Sequence, residues 1–257
     1  MSQIHPTALV APEARIGSDC TIGAYCIVGP DVVLGDGCRL HPHAIIEGHT
    51  QIGDGNEIFS FACIGGRSQD LKWKGGITRV RIGDHNVFRE YCTVHAATAD
   101  GHETVVGSHN FFLANTHLAH DVRIGSHVIM SNLASLAGHV TVDDHAVIGG
   151  MAAVHQFVRI GRRSMVGGCT KLTQDVAPFM MVDGNPGTTR FINKIGLDRS
   201  GLSAETIQAL AKAYKLLFRG GLTTAQALEQ IQTDLPPSPE IAHLVEFVRT
   251  TQRGLAR

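Results

Sequence analysis

One apolar residue recurs every six positions, in a single phase, for most of the chain. The series runs Ile4, Val10, Ile16, Ile22, Val28, Leu34, Leu40, Ile46, Ile52, Ile58 and Ile64, resumes at Ile82, Phe88 and Val94, and resumes again from Val106 to Leu172. In that last stretch it reads Val106, Phe112, Leu118, Ile124, Met130, Leu136, Val142, Ile148, Val154, Ile160, Val166 and Leu172. Only Asp70, Gly76 and Asp100 break the phase. The residue after the apolar one is often glycine, as at 17, 23, 35, 53, 107 and 125. Four positions beyond it, the residue is often small or β-branched, as at Ala8, Ala14, Cys20, Cys26, Val32 and Cys38. A unit of six is too short for a helical repeat. It describes a short strand plus a corner, and repeated units of this kind bury a continuous core only by stacking. Three such faces make a triangular coil of 18 residues, a parallel β-helix.

Composition agrees with that shape. The chain has 29 glycines against ten phenylalanines, three tyrosines and one tryptophan, which suits a narrow interior with many corners. A formal net charge of −1 gives no field that would favour nucleic acid or an anionic membrane surface. No run approaches the ~18 apolar residues of a spanning helix. The start, Met-Ser-Gln-Ile-His-Pro-Thr, lacks the basic and then apolar pattern of a secretory signal, so a cytoplasmic protein is expected. Cysteines 20, 26, 38, 63, 92 and 169 show no CxxC pairing. Those at 20, 26, 38 and 92 fall in the small inward position and read as packed thiols, not ligands.

The phase breaks span 66–81 and 96–104, and both gaps are multiples of six. They read as loops pushed out of a coil that then resumes in register, the kind of segment where function concentrates. The coil is expected over 1–178 and a helical domain over 179–257. In the latter, Ser203 reads as an N-cap, Thr223 and Gln226 as a capping box, and Ser238-Pro239-Glu240 as the start of a helix running to Gly254.

An 18-residue coil turns spacing into contact. Gly138 stacks on His120 and Gln156 on Gly138, while His139 stacks on Asp121, and His155 lies beside Ala137 and Ala119. His117 sits at the corner leading in. A second column, on another face, holds Ala114, Asn132, Gly150 and Gly168. A histidine near neutral pKa can take a proton from a hydroxyl as it attacks an acyl carbonyl, and a neighbouring carboxylate fixes its tautomer. His120 with Asp121 offers that pair, and a glycine at 138 lets a backbone amide approach the developing oxyanion. No serine or cysteine accompanies the histidine, which favours direct transfer over a covalent intermediate.

Other readings compete. Asp-His, Ser-His and Gly-His pairs occur at corners throughout, as at 84–85, 108–109, 126–127 and 144–145, so a lone histidine here is first of all a corner residue. A metal-dependent hydratase on the same scaffold and a non-catalytic binding trimer are the alternatives by class. His117-x-x-His120 by itself is weak evidence for a metal. No metal and no cofactor are expected.

The six-residue pattern resembles the hexapeptide-repeat superfamily, a resemblance that implies a left-handed parallel β-helix with a C-terminal α-helical domain. Longer segments are more specific: Asn115-Thr-His-Leu-Ala-His-Asp121, Leu136-Ala-Gly-His-Val140, Ala153-Val-His-Gln-Phe157, Met165-Val-Gly-Gly-Cys169 and Gln69-Asp-Leu-Lys72. Together they resemble the UDP-N-acetylglucosamine acyltransferase family of lipid A biosynthesis. The resemblance implies transfer of an (R)-3-hydroxyacyl chain from acyl carrier protein to the sugar 3-hydroxyl, in a homotrimer with sites between subunits. It makes His120 the general base, Asp121 its orienting carboxylate and Gly138 the oxyanion donor. His117, His139, His155 and Gln156 would line the acyl and sugar pocket, and Gln69, Asp70 and Lys72 would touch the sugar or its phosphates. Gly168 would set acyl length, its lack of a side chain leaving room for a longer chain. Asn193 and Arg199 would meet the nucleotide, although that segment departs from the family pattern at Ile195 and Ser200.

Overall fold

The structure, a computed structural model, describes residues 1–257. Successive short strands, most of two residues, fall in turn into three sheets of eleven, nine and eight strands, parallel throughout the coil. Ile4 pairs with Ile22, and Ile22 with Leu40, so the sequence period becomes the ladder register. Across the two loops the register survives as the phase requires: Ile64 pairs with Val94, and Val94 with Leu118. The interior is a single column of apolar side chains with Cys20, Cys26, Cys38 and Cys92 as buried small fillers. Phe88 and Phe112 stack inside it at 4.9 Å between centroids.

Two local devices make the corners. Where glycine follows the apolar residue, coils approach too closely for a side chain: a Cβ on Gly17 would lie 2.5 Å from the carbonyl carbon of Gly35 in the next coil. Two positions further on, the chain turns through the left-handed region, with positive φ at Asp19, His43, His85, Asn115, Asp121, His127, His139 and their equivalents. Asp, Asn and His tolerate that conformation better than most side chains. Six of the fifteen histidines sit at such corners, at 43, 85, 109, 127, 139 and 145. His85, His109, His127 and His145 stack ring on ring along one corner, at 5.2, 5.0 and 4.7 Å.

Buried asparagines replace the small inward residue in three neighbouring coils. The Asn56 amide oxygen accepts the Asn86 backbone N–H, Asn86 accepts that of Asn110, and Asn110 accepts that of Val128, at 2.7–2.9 Å. The strand after the first loop begins at Arg79, three residues before the periodic phase resumes, because Arg79 and Val80 add pairs to His49 and Thr50.

After Leu172 the chain adds a last parallel strand, Met180–Asp183, which turns back antiparallel into Thr188–Ile192. Four helices follow: α1 Lys194–Asp198, α2 Ala204–Phe218, α3 Thr224–Asp234 and α4 Pro239–Arg249. Ser203 and Ser238 cap α2 and α4, and the Thr223–Gln226 capping box opens α3. The fourth helix stops at Arg249, short of the expected Gly254, and the tail returns to the coil. The Ala256 N–H donates to the Asp175 carbonyl at 2.9 Å, and the Asp175 N–H donates to the Gly254 carbonyl at 2.9 Å. The Asp175 carboxylate, 1 % exposed, accepts from the Arg159 amide and the Thr251 hydroxyl. Continuing the helix would forfeit those bonds and leave the buried charge short of a partner.

Candidate active site

His120 and Asp121 occupy a corner of the coil, and the left-handed φ of 59° at Asp121 swings its carboxylate back towards the imidazole. Asp121 Oδ2 lies 2.9 Å from His120 Nδ1, with side chains only 7 % and 13 % exposed. Oδ2 also accepts the Thr98 backbone N–H at 3.0 Å. Burial alone would raise the Asp121 carboxyl, but the bonds from His120 and Thr98, with the nearby His139, outweigh it and hold the group below the ordinary range. An ionised Asp121 keeps the proton on Nδ1 and leaves the Nε2 lone pair free.

The stacking expected from the 18-residue coil is present. The His139 N–H donates to the His120 carbonyl and the Phe157 N–H to the Gly138 carbonyl, both at 3.1 Å. The His120 ring lies so close to Gly138 that a Cβ there would clash with the imidazole at Cε1 and Nε2. Gly138 is buried, and its backbone N–H donates to no carbonyl or side chain of the protein. Such a group is costly unless something else accepts from it.

The first extruded loop folds back over this corner. Asp70 Oδ2 comes within 3.9 Å of His120 Nε2. The loop is laced to the second one. The Ser68 and Thr98 hydroxyls are 2.7 Å apart, the Asp70 N–H donates to Ser68 Oγ, the Lys72 N–H donates to Asp70 Oδ1, and the Ile77 N–H donates to Asp100 Oδ1. One peptide stretch thus ties Asp121 from one side and Asp70 from the other.

A cavity of about 660 Å³ opens in front of the His120 ring. Its walls include Gln69, Asp70, Lys72, His117, Gly138, His155 and Gln156, with Leu71, Leu136, Val154 and Leu172 supplying apolar surface. His117 is held by Thr93 Oγ1 at 2.8 Å. Burial, then the neighbouring His95 and His120, push its pKa down to about 4, so it is neutral at ordinary pH.

His139 stands apart. It stacks on Phe157 at 4.6 Å and borders a separate polar cleft with Asp121, not the cavity. Gly168 is exposed in the column of Gly150, on a different sheet, and does not reach the cavity of its own chain. Asn193 and Arg199 are also outside it. The Asn193 side chain caps α1 by accepting the Gly196 N–H at 3.2 Å and donates to the Arg163 carbonyl at 2.9 Å, while Arg199 is exposed at the helix end. Sequence reasoning passed over Thr98 and Thr104, which bond Asp121, and Arg253 of the tail, whose guanidinium lies 3.3 Å from His155 Nδ1. The aperiodic loop residues offered no spacing to find them by.

A three-sided parallel coil of stacked six-residue units, with a buried histidine–aspartate pair beside a partly apolar cavity, is of the hexapeptide-repeat transferase class. Residues 13–48 match the bacterial transferase hexapeptide family. Residues 175–256 match the second domain of the UDP-N-acetylglucosamine O-acyltransferases. The chain is 54 % identical to the acyl-[acyl-carrier-protein]–UDP-N-acetylglucosamine O-acyltransferase of Psychrobacter arcticus and 48 % identical to that of Thermodesulfovibrio yellowstonii, over all of each chain. Among solved structures it superposes on LpxA of Acinetobacter baumannii with a TM-score of 0.95 at 44 % identity, covering 99 % of both chains. With the UDP-N-acetylglucosamine acyltransferase of Bacteroides fragilis the score is 0.97 at 38 % identity, covering 99 % of this chain and 100 % of the other. The chain therefore belongs to the UDP-N-acetylglucosamine O-acyltransferase family, with the left-handed β-helix and C-terminal helical domain of those enzymes. No helix is long and apolar enough to cross a membrane.

Proposed function

We propose that the protein transfers an (R)-3-hydroxyacyl chain from acyl carrier protein to the 3-hydroxyl of UDP-N-acetylglucosamine, the opening step of lipid A biosynthesis, in the cytoplasm. The names of its full-length relatives support the reaction. The observation that carries the mechanism is the His120 ring, held by Asp121 and packed against Gly138, whose amide is unpartnered. His120 Nε2 takes the proton of the sugar hydroxyl as its oxygen attacks the thioester carbonyl. The Gly138 N–H donates to the oxyanion that forms, and the collapsing intermediate expels the thiolate of the carrier's pantetheine, which recovers the proton from His120. Asp121 and Asp70 flank the imidazolium while it is charged. Gln69, Asp70, Lys72, His117, His155 and Gln156 bind sugar, phosphate and acyl groups along the cavity.

The cavity is open to solvent, and Gly168, His139, Asn193 and Arg199 are not among its walls. We assign the missing walls to neighbouring copies in a homotrimer, where Gly168 of one chain sets the depth available to acyl chains in another's cavity and Asn193 and Arg199 meet the nucleotide. The test is transfer from 3-hydroxyacyl carrier protein to UDP-N-acetylglucosamine by wild type and His120→Ala. Loss of turnover with retained fold supports the base; a fully active variant overturns it.

A further inference from the structure

Asp121 is approached by more imidazoles than a base needs. Besides His120 Nδ1 at 2.9 Å, His102 Nδ1 lies 3.7 Å from Oδ1 and His139 Nε2 lies 3.8 Å from Oδ2. Ligating atoms of His120, Asp121 and His139 all fall within 4.8 Å of one another. Neighbouring ligands on a tetrahedral zinc, at bond lengths of about 2.0–2.2 Å, sit roughly 3.3 Å apart. Side-chain shifts of about an ångström would close this group on an ion. His139 is half-buried and stacks on Phe157, and His120 packs against Gly138. His102, exposed on the second loop, is within reach as a fourth ligand, with water as the substitute.

The approach to this group is separate from the substrate cavity. A polar cleft of about 490 Å³ is lined by Gly101, His102, Glu103, Asp121, Arg123 and His139, with no apolar wall. It shares no residue with the cavity in front of His120: His120 lines that cavity, and Asp121, 2.9 Å from its Nδ1, lines the cleft.

We propose that His120, Asp121 and His139 form an inhibitory site for zinc, entered from the polar cleft, whose occupation disables His120 as a base. The consequence follows from the two nitrogens of one ring. With Asp121 as partner, the proton sits on Nδ1 and Nε2 is free to accept. Zinc takes the Nδ1 lone pair, so the proton of the neutral ring moves through solvent to Nε2, and no proton is lost or gained overall. The nitrogen facing the substrate then carries N–H and cannot accept the proton of a hydroxyl. The cavity itself stays open. Zinc therefore lowers kcat and leaves KM for the sugar nucleotide nearly unchanged. This second half rests on the base role proposed above, whereas the binding half does not.

Chelator-treated full-length protein, titrated with zinc in a calorimeter and with cobalt(II) by visible absorption, tests the site. We expect one metal per chain, the intense visible bands of four- or five-coordinate cobalt, and at least a tenfold weaker affinity in both His139→Gln and Asp121→Asn. Thermal melting checks that each variant is folded, and the cobalt spectrum of the wild type reads the coordination number without any variant. Only the weak spectrum of six-coordinate cobalt, or zinc affinity unchanged in folded His139→Gln, overturns the site. In wild-type turnover, saturating zinc is expected to cut kcat at least tenfold with recovery on adding chelator. Tight, His139-dependent binding with undiminished kcat overturns the inhibitory role. A fully active His120→Ala with intact wild-type zinc binding would instead locate the failure in the base assignment.

Discussion

The carboxylate of Asp70 lies 3.9 Å from Nε2 of His120, across the imidazole from the Asp121 oxygen that holds Nδ1 at 2.9 Å. The second carboxylate thus faces the nitrogen that receives the substrate proton in the proposed reaction. Asp70 gets there because Ser68, Thr98 and Asp100 pin the two extruded loops to each other. Asp70→Asn is expected to lower kcat by about tenfold, equivalent to about 1.4 kcal/mol, with an unchanged melting temperature. Steady-state assays beside thermal melts check it, and an unaltered kcat would remove Asp70 from the mechanism.

Gly138→Ala places a methyl inside the volume of the His120 ring. The ring must turn away, breaking its alignment with both Asp121 and the adjacent amide. Losing one oxyanion donor commonly costs about 10²–10³ in kcat, and a loss of that order is expected here. A variant with near-normal turnover would show that the glycine serves packing alone.

His117 has its pKa pushed down to about 4 by burial and its histidine neighbours, against 6.5 for the free side chain. Between those values the unfolded chain binds the proton and the folded chain does not. Stability is therefore full above pH 6.5 and declines as the pH falls from 6.5 towards 4. Denaturant midpoints at about pH 7 and about pH 5, on either side of the unfolded value, should differ for wild type, and the difference should shrink in His117→Gln. An equal difference in both proteins would locate the acid sensitivity elsewhere.

Asn86→Ala breaks the middle of the asparagine ladder, where Asn56, Asn86 and Asn110 are at most 1 % exposed. It orphans the Asn110 backbone N–H and removes a donor to Asn56. Each unsatisfied buried group costs about 1–3 kcal/mol, so a loss of that size is expected in denaturant unfolding, with the sugar-nucleotide KM unaffected.

Gly168 is exposed and distant from the cavity of its own chain, so any effect on acyl length has to pass through a neighbouring copy. Light scattering is expected to give three chains per particle, and Gly168→Met to shift preference towards donors shorter by several carbons while short-donor turnover persists. Unchanged length preference across a donor series would remove Gly168 as the determinant.

The amino-acid sequence by itself determined the coil, its register and the His120, Asp121, Gly138 and Gln156 neighbourhood. A strict period of six admits one stacking, and stacking converts a spacing of 18 into contact, as Ile4 on Ile22 and His139 on Asp121 show. It also marked the helix starts at Ser203, Thr223 and Ser238, because caps are local chemistry. What it left open is everything without a period. The return of the tail to Asp175 is one such feature, and the reach of His102 to Asp121 is another. The closing of Asp70 over His120 belongs with them. Such contacts depend on where a loop's own hydrogen bonds let it rest, and no residue spacing encodes that. From sequence, His120 in the Asn115–Val122 stretch reads as a candidate base. That its ring lies between two carboxylates, with a polar cleft beside the first, was decided only by the tertiary structure, through two loops that bind each other.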